Sequence, residues 1–120
     1  MKKFISVMLV AAMAVTALTG CGSNSESSSK KDADKYYIGG IGPTTGATAI
    51  YGTAVKNGAQ IAVDEINAAG GINGKQIEYR FEDDQNDAEK SVNAYNTLKD
   101  WGMQMLVGTT TTAPCIAVAG

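Results

Sequence analysis

Residues 36–83 read YYIGGIGPTTGATAIYGTAVKNGAQIAVDEINAAGGINGKQIEYRFED, and the changes of hydrophobic period inside this stretch decide the fold. Tyr36 to Ile41 is a short apolar run of the kind that pairs in a sheet, ended by Gly42-Pro43. Thr44 to Ile50 is a loop of small residues containing Gly46. From Tyr51 to Ala69 the apolar and small positions Tyr51, Ala54, Val55, Gly58, Ala59, Ala62, Ile66 and Ala69 recur every three or four residues. Lys56, Asn57, Gln60, Asp64 and Asn67 occupy the other face, so a long helix is predicted. Gly70-Gly71 supplies the left-handed residue that ends it. Asn73-Gly74 is a tight-turn signal, and in Gln76 to Asp83 the residues Ile77, Tyr79 and Phe81 alternate with Glu78, Arg80 and Glu82. That alternation describes a strand with one wetter face, hence one near the edge of its sheet.

Towards the C-terminus the same order repeats. Asn86 followed by Glu89 is a capping-box pattern, and Ala88, Val92, Tyr95 and Leu98 give a second helix its apolar stripe up to Trp101, with Gly102 as its stop. Met105 to Gly108 predicts a third strand and Thr109 to Thr112 its exit loop. Pro114 suits the first turn of a third helix. Strand and helix alternating three times define an α/β class with a doubly wound parallel sheet. Gly120 falls six residues into the third helix, so the chain is expected to be the N-terminal portion of a larger protein.

Towards the N-terminus, Lys2 and Lys3 precede the uncharged stretch Phe4 to Leu18, 15 residues long, which is the length of a signal-peptide core and short for a membrane span. Leu18-Thr19-Gly20-Cys21 follows and resembles a bacterial lipobox, in which small residues precede a cysteine that receives diacylglycerol. Residues 1–20 are therefore expected to be a lipoprotein signal peptide, with Cys21 the lipidated mature N-terminus. In residues 21–35, Ser23, Ser25, Ser27, Ser28 and Ser29 and then Lys30-Lys31-Asp32 offer no apolar side chain, and the segment is expected to form a flexible tether. Residues 36–120 are left as the folded part.

Removing Lys2 and Lys3 from ten basic residues leaves eight against twelve acidic ones, a net charge of −4. No basic cluster interleaved with aromatics offers a nucleic-acid surface. The chain has no histidine, so it cannot build a Ser-His or Cys-His nucleophile or a histidine-bearing metal site. Cys115 is the second of two cysteines, and on an apolar stretch it reads as a small buried hydrophobe. Asp83, Asp84 and Asp87 lack the glycine and distal glutamate of a calcium loop and read as a solvated, helix-capping turn. Gly40 to Gly46 is not a dinucleotide fingerprint, because its third glycine arrives one residue late, nor a phosphate loop, because no lysine follows.

In a doubly wound sheet ligands bind outside the carboxyl ends of the strands. Three loops reach that edge: Pro43 to Ile50, Asp83 to Asp87, and Thr109 to Ala113. The four consecutive threonines, just ahead of a helix whose first N–H groups lack partners, suit a ligand carboxylate. They equally suit a helix cap on one threonine with the others filling β positions.

The segments Ile38 to Gly46, Tyr51-Gly52, Asn57-Gly58-Ala59, Asp64 to Gly74 and Asp83-Asp84 together resemble the N-terminal lobe of the branched-chain amino acid substrate-binding proteins of ABC transporters. The resemblance implies a type I periplasmic-binding-protein (Venus-flytrap) fold, in which two lobes close on a small aliphatic amino acid, and of which residues 36–120 are part of one lobe. It implies no cofactor, no metal and no catalytic residues. The partners it implies are an ABC permease and a membrane reached through lipid on Cys21, on the extracytoplasmic side. The family's carboxylate-binding hydroxyl falls on Thr112, four residues after Gly108, with the adjacent Thr111 and the backbone N–H of Ala113 beside it. Tyr51 matches the tyrosine that walls the side-chain pocket. The cysteine pair of some members falls on Asn86 and Thr111, so no bridge is expected. Relatives of the same fold bind amides or urea or serve in sensing, which is the alternative reading.

In cells fed radioactive palmitate, the full-length protein is expected to take up label and Cys21→Ser to take up none; label on the variant would sink the lipobox reading.

Overall fold

A computed structural model describes residues 34–120, so the expected signal peptide, most of the expected tether and Cys21 lie outside the described residues. Three strands and three helices alternate: β1 (Lys35–Gly42), α1 (Ala49–Ala68), β2 (Gln76–Asp83), α2 (Ala88–Trp101), β3 (Met105–Thr109) and α3 (Thr112–Ala119). The strands form one parallel sheet in the order β2-β1-β3. The chain therefore leaves β1 in one direction to make β2 and crosses back over β1 to make β3. Its crossover helices fall on opposite faces of the sheet, as right-handed connections require.

Side-chain alternation along β1 shows both faces. Ile38 points to the α1 side, where it lines a cleft with Ala59, Ala62, Val63 and Ile66 of α1 and Ile77, Tyr79 and Val107. Tyr37 and Ile41 point to the α2 side, where Ile41, Ala94 and Leu98 form the core and Tyr95, Trp101, Met103 and Leu106 pack around it. Ile41 and Leu98 are both 0% exposed. Trp101 meets Tyr37 edge to face with ring centroids 5.2 Å apart, and the Arg80 guanidinium stands 5.9 Å from the Trp101 ring. The charged face of β2 is thus the α2 side, and β2 is an outer strand as its alternation predicts. Its outward backbone is not left bare. Asn67 at the end of α1 donates to the Ile77 carbonyl at 2.8 Å and accepts from the Ile77 N–H at 2.7 Å, so one amide side chain stands in for a neighbouring strand.

Helix ends follow the sequence signals at the C-terminal side. Gly70 N–H reaches Asn67 O and Gly71 N–H reaches Ile66 O, while Gly102 N–H reaches Lys99 O and Met103 N–H reaches Leu98 O, the same pair of bonds at both helices. Asn73 and Gly74, both at positive φ, turn the chain between Ile72 and Lys75, which bond to each other in both directions.

Several expectations are corrected. β1 begins at Lys35, the last residue assigned to the tether, where Lys35 Nζ pairs with Glu78 at 3.1 Å. α1 begins at Ala49 rather than Tyr51, and its inward face is Gly52, Ala59, Val63 and Ile66. Tyr51, Ala54, Val55, Gly58, Ala62 and Ala69 of the predicted stripe are exposed, because small residues all round this helix make the period ambiguous and tight packing against the sheet selects among them. In α2 the buried positions are Ser91, Ala94 and Leu98, while Ala88 and Val92 are exposed. The cap of α2 is Asp87, whose side chain accepts from Lys90 N–H at 2.9 Å; Asn86 stands one residue too early, at φ 61°. Cys115 is exposed, since Pro114 is the residue α3 turns inward and Cys115 lies about 100° further round the helix.

Leu98→Ala in the full-length protein is expected to lower the unfolding free energy by about 3 kcal/mol in urea titrations, from lost burial plus the cavity left behind. The exposed Val92→Ala should cost under about 1 kcal/mol, and equal losses would show that this core is not the stabilising one.

Candidate functional site

The carboxyl ends of β1, β2 and β3 meet at one end of the sheet, and backbone hydrogen bonds join their exits. Thr110 directs two donors at the Ile41 carbonyl, its N–H at 3.1 Å and its hydroxyl at 3.2 Å, while Asp84 N–H donates to the Gly42 carbonyl at 3.3 Å. The last residues of β1 thereby hold the loops of both outer strands. β1 and β3 leave in opposite directions, into α1 on one face and α3 on the other, so the crevice between them is the switch point where ligands of such sheets bind.

A β-bulge shapes the third loop. Gly40 pairs with Val107 but Ile41 pairs with Thr109, so Gly108 is the extra residue, and its φ of 53° is one that L side chains rarely adopt. The bulge carries β3 one residue beyond the predicted end and resets which way the following threonines point. Thr111 is the N-cap of α3, yet its side chain makes no cap bond; its Oγ1 and that of Thr109 are buried without a partner. Thr112 and Ala113 are exposed in the first turn of α3. Cys115 N–H is the first amide of α3 to find its acceptor, Thr111 O, and Pro114 has no N–H. The amides of Thr112 and Ala113 therefore lead the helix with no intrahelical acceptor, beside the Thr112 hydroxyl. Of the two readings of the threonine run, the side-chain cap on Thr111 does not form.

Tyr51 stands in the first turn of α1 at this same end of the sheet, 62% exposed. α1 packs on β1 and β2, whereas α3 packs on α2 and β3, so Tyr51 and Thr112 flank the crevice from opposite faces.

The acidic loop divides into three separate roles that spacing alone does not reveal. Asp83 Oδ1 accepts from Thr44 N–H at 2.8 Å and Gln85 N–H at 3.0 Å, and Oδ2 accepts from the Thr45 hydroxyl at 2.5 Å. Asp84 is 0% exposed, with Oδ1 taking Asn86 N–H at 2.9 Å and Oδ2 unpartnered, so it is not the solvated residue expected from its composition. Asp87 caps α2. Among the described residues no three His, Cys, Asp or Glu side chains are grouped to hold a metal ion.

Partial burial pushes the Asp83 carboxyl up, but bonds from the Thr45 hydroxyl and the Thr44, Gln85 and Thr45 amides outweigh it and hold the group below the ordinary carboxylate value. A depressed folded-state value adds stability that is present above the unfolded value, about 3.9, and is lost as pH falls through the folded one. The stability advantage of the wild-type chain over Asp83→Asn is therefore expected to shrink as pH is lowered from about 5 towards 2, read from urea midpoints. An advantage that grows on acidification would contradict the depressed value.

Residues 35–120 match the family model described as periplasmic binding protein. The chain is 44% identical over 82 residues to the Leu/Ile/Val-binding protein BraC3 of Rhizobium johnstonii, covering 68% of this chain and 22% of that one. It is 40% identical over 76 residues to the leucine-, isoleucine-, valine-, threonine- and alanine-binding protein of Pseudomonas aeruginosa, covering 63% and 20%. Among solved structures, it is similar to the branched-chain amino acid transporter substrate-binding protein LivJ of Streptococcus pneumoniae in complex with isoleucine. There the TM-score is 0.66 at 39% identity, over 70% of this chain and 24% of that one. The chain thus spans about a fifth of the length of the curated relatives it matches. A parallel α/β sheet wound on both faces, a crevice at its switch point and a family match over all of its strands and helices agree: the chain belongs to the periplasmic binding protein family.

Proposed function

We propose that this chain is part of the N-terminal lobe of an extracytoplasmic, lipid-anchored solute-binding protein that delivers a branched-chain or other aliphatic amino acid to an ABC permease. The observation that carries the reading is the start of α3. Two backbone amides without acceptors, Thr112 and Ala113, stand with the Thr112 hydroxyl at the switch point of the sheet. An amino acid presents a carboxylate, and a helix N-terminus offers it donors and a favourable dipole at once. Thr111, whose hydroxyl is buried without a partner, is a further donor within the same turn. Tyr51, exposed across the crevice, suits the role of an apolar wall over the ligand's side chain. The second lobe would close over this edge and supply the groups for the ammonium end.

The relatives support the ligand class: those in Rhizobium johnstonii and Pseudomonas aeruginosa are leucine-, isoleucine- and valine-binding proteins, and the Streptococcus pneumoniae structure holds isoleucine. A binding protein rather than an enzyme fits a chain without histidine, in which the groups at the site donate hydrogen bonds and hold no nucleophile–base pair. Lipid on Cys21 and the serine-rich segment after it would keep the lobe near the membrane and its permease.

In the full-length protein, Thr112→Val is expected to weaken isoleucine binding about 10- to 100-fold by calorimetry, the worth of a hydrogen bond to a charged group. Its melting temperature should stay within a few degrees, since Thr112 is exposed. Unchanged affinity would remove Thr112 from the site, and a thermal shift given only by amides or urea would overturn the ligand class.

A further inference from the structure

Helix α1 begins without a side-chain cap. Its N-cap Thr48 makes no such bond, and the preceding loop is joined to the first turn by Ala49 N–H to Gly46 O at 3.3 Å and Tyr51 N–H to Thr48 O at 3.1 Å. Both bonds couple the loop to the first turn of the helix, and so to Tyr51. Two contacts tie that segment to the sheet. Gly52 lies so close to Pro43 that a Cβ there would stand 2.0 Å from its carbonyl oxygen. The other is the Asp83 carboxylate at the end of β2. It takes Thr44 N–H and the Thr45 hydroxyl from the first loop and Gln85 N–H from its own, binding two of the three crevice loops with one charged acceptor. Bonds to an ionised acceptor are about twice as strong as neutral ones, so this is a strong tie for the loop.

We infer that Asp83 is a positioning residue of the ligand crevice: without touching the ligand, it holds the Thr44–Tyr51 segment at the distance from α3 that the crevice requires. The inference rests on the amino-acid-binding reading and adds to it a residue outside the donor set. Asn67 provides the comparison, because it joins α1 to β2 by two hydrogen bonds of similar length at the opposite end of the helix.

The test uses the full-length protein with isoleucine as titrant. Asp83→Ala is expected to raise Kd about tenfold, while Asp83→Asn stays within about threefold of wild type, since its carbonyl oxygen still accepts from Thr44 and Gln85 and its NH2 donates to the Thr45 hydroxyl. Asn67→Ala is expected to lower the melting temperature without changing Kd. Hydrogen exchange at the Thr44 amide should accelerate in Asp83→Ala and not in Asn67→Ala. A wild-type Kd in Asp83→Ala, equal weakening by Asp83→Ala and Asn67→Ala, or unaltered exchange at Thr44 would each overturn the role. If the wild-type protein binds no aliphatic amino acid, the functional reading falls by itself, and exchange at Thr44 still decides whether Asp83 holds the loop.

Discussion

Strand β1 is hydrogen-bonded along both edges, and the other elements are arranged around that pairing. Because β2 and β3 both run parallel to it, each connection must cross from one end of the sheet to the other, and each crossing needs a helix. Handedness then sends α1 and α2 to opposite faces. The apolar side chains of β1 alternate to meet them, Ile38 towards α1 and Ile41 towards Leu98 of α2. At its carboxyl end the same strand gives its last two carbonyls to the neighbouring loops, Ile41 to Thr110 and Gly42 to Asp84. One strand therefore organises both the core and the rim of the crevice.

Polar groups at the rim are divided between holding the loops and facing the crevice. The carboxylates of Asp83, Asp84 and Asp87 are engaged with backbone amides or with Thr45. Groups left without protein partners at this rim include the leading amides of α3, the buried hydroxyls of Thr109 and Thr111, and Oδ2 of Asp84. On the proposed reading, a ligand at the start of α3 meets donors, while Asp83 and Asp87 are engaged as acceptors. That balance suits the carboxylate end of the proposed amino acid ligand.

Much of the candidate site was legible from residue order alone. Thr109 to Ala113 had to lie at a strand exit because Met105 to Gly108 reads as a strand and Pro114 as a first helical turn. The bulge at Gly108 was not legible, since a glycine at a strand end signals a stop as readily as an extra residue. The separate tasks of the three aspartates were hidden for a similar reason. Whether a carboxylate caps its own helix, turns its own loop or reaches the neighbouring loop depends on a register between β1 and β2 that spans about forty residues of sequence.

The sequence by itself determined the class and order of elements, the positions of the turns and the family resemblance, because these follow from local periodicity, glycine and proline placement and short motifs. Only the tertiary structure decided which face of α1 is inward, where Cys115 points, and that the Asp83 carboxylate reaches Thr44 and Thr45 of the neighbouring loop. Helix α1 is small or apolar on most of its circumference, so its burial is set by how closely the backbone of Gly52 meets Pro43. The partner of a carboxylate is set in the same way, by which strand lies next to it.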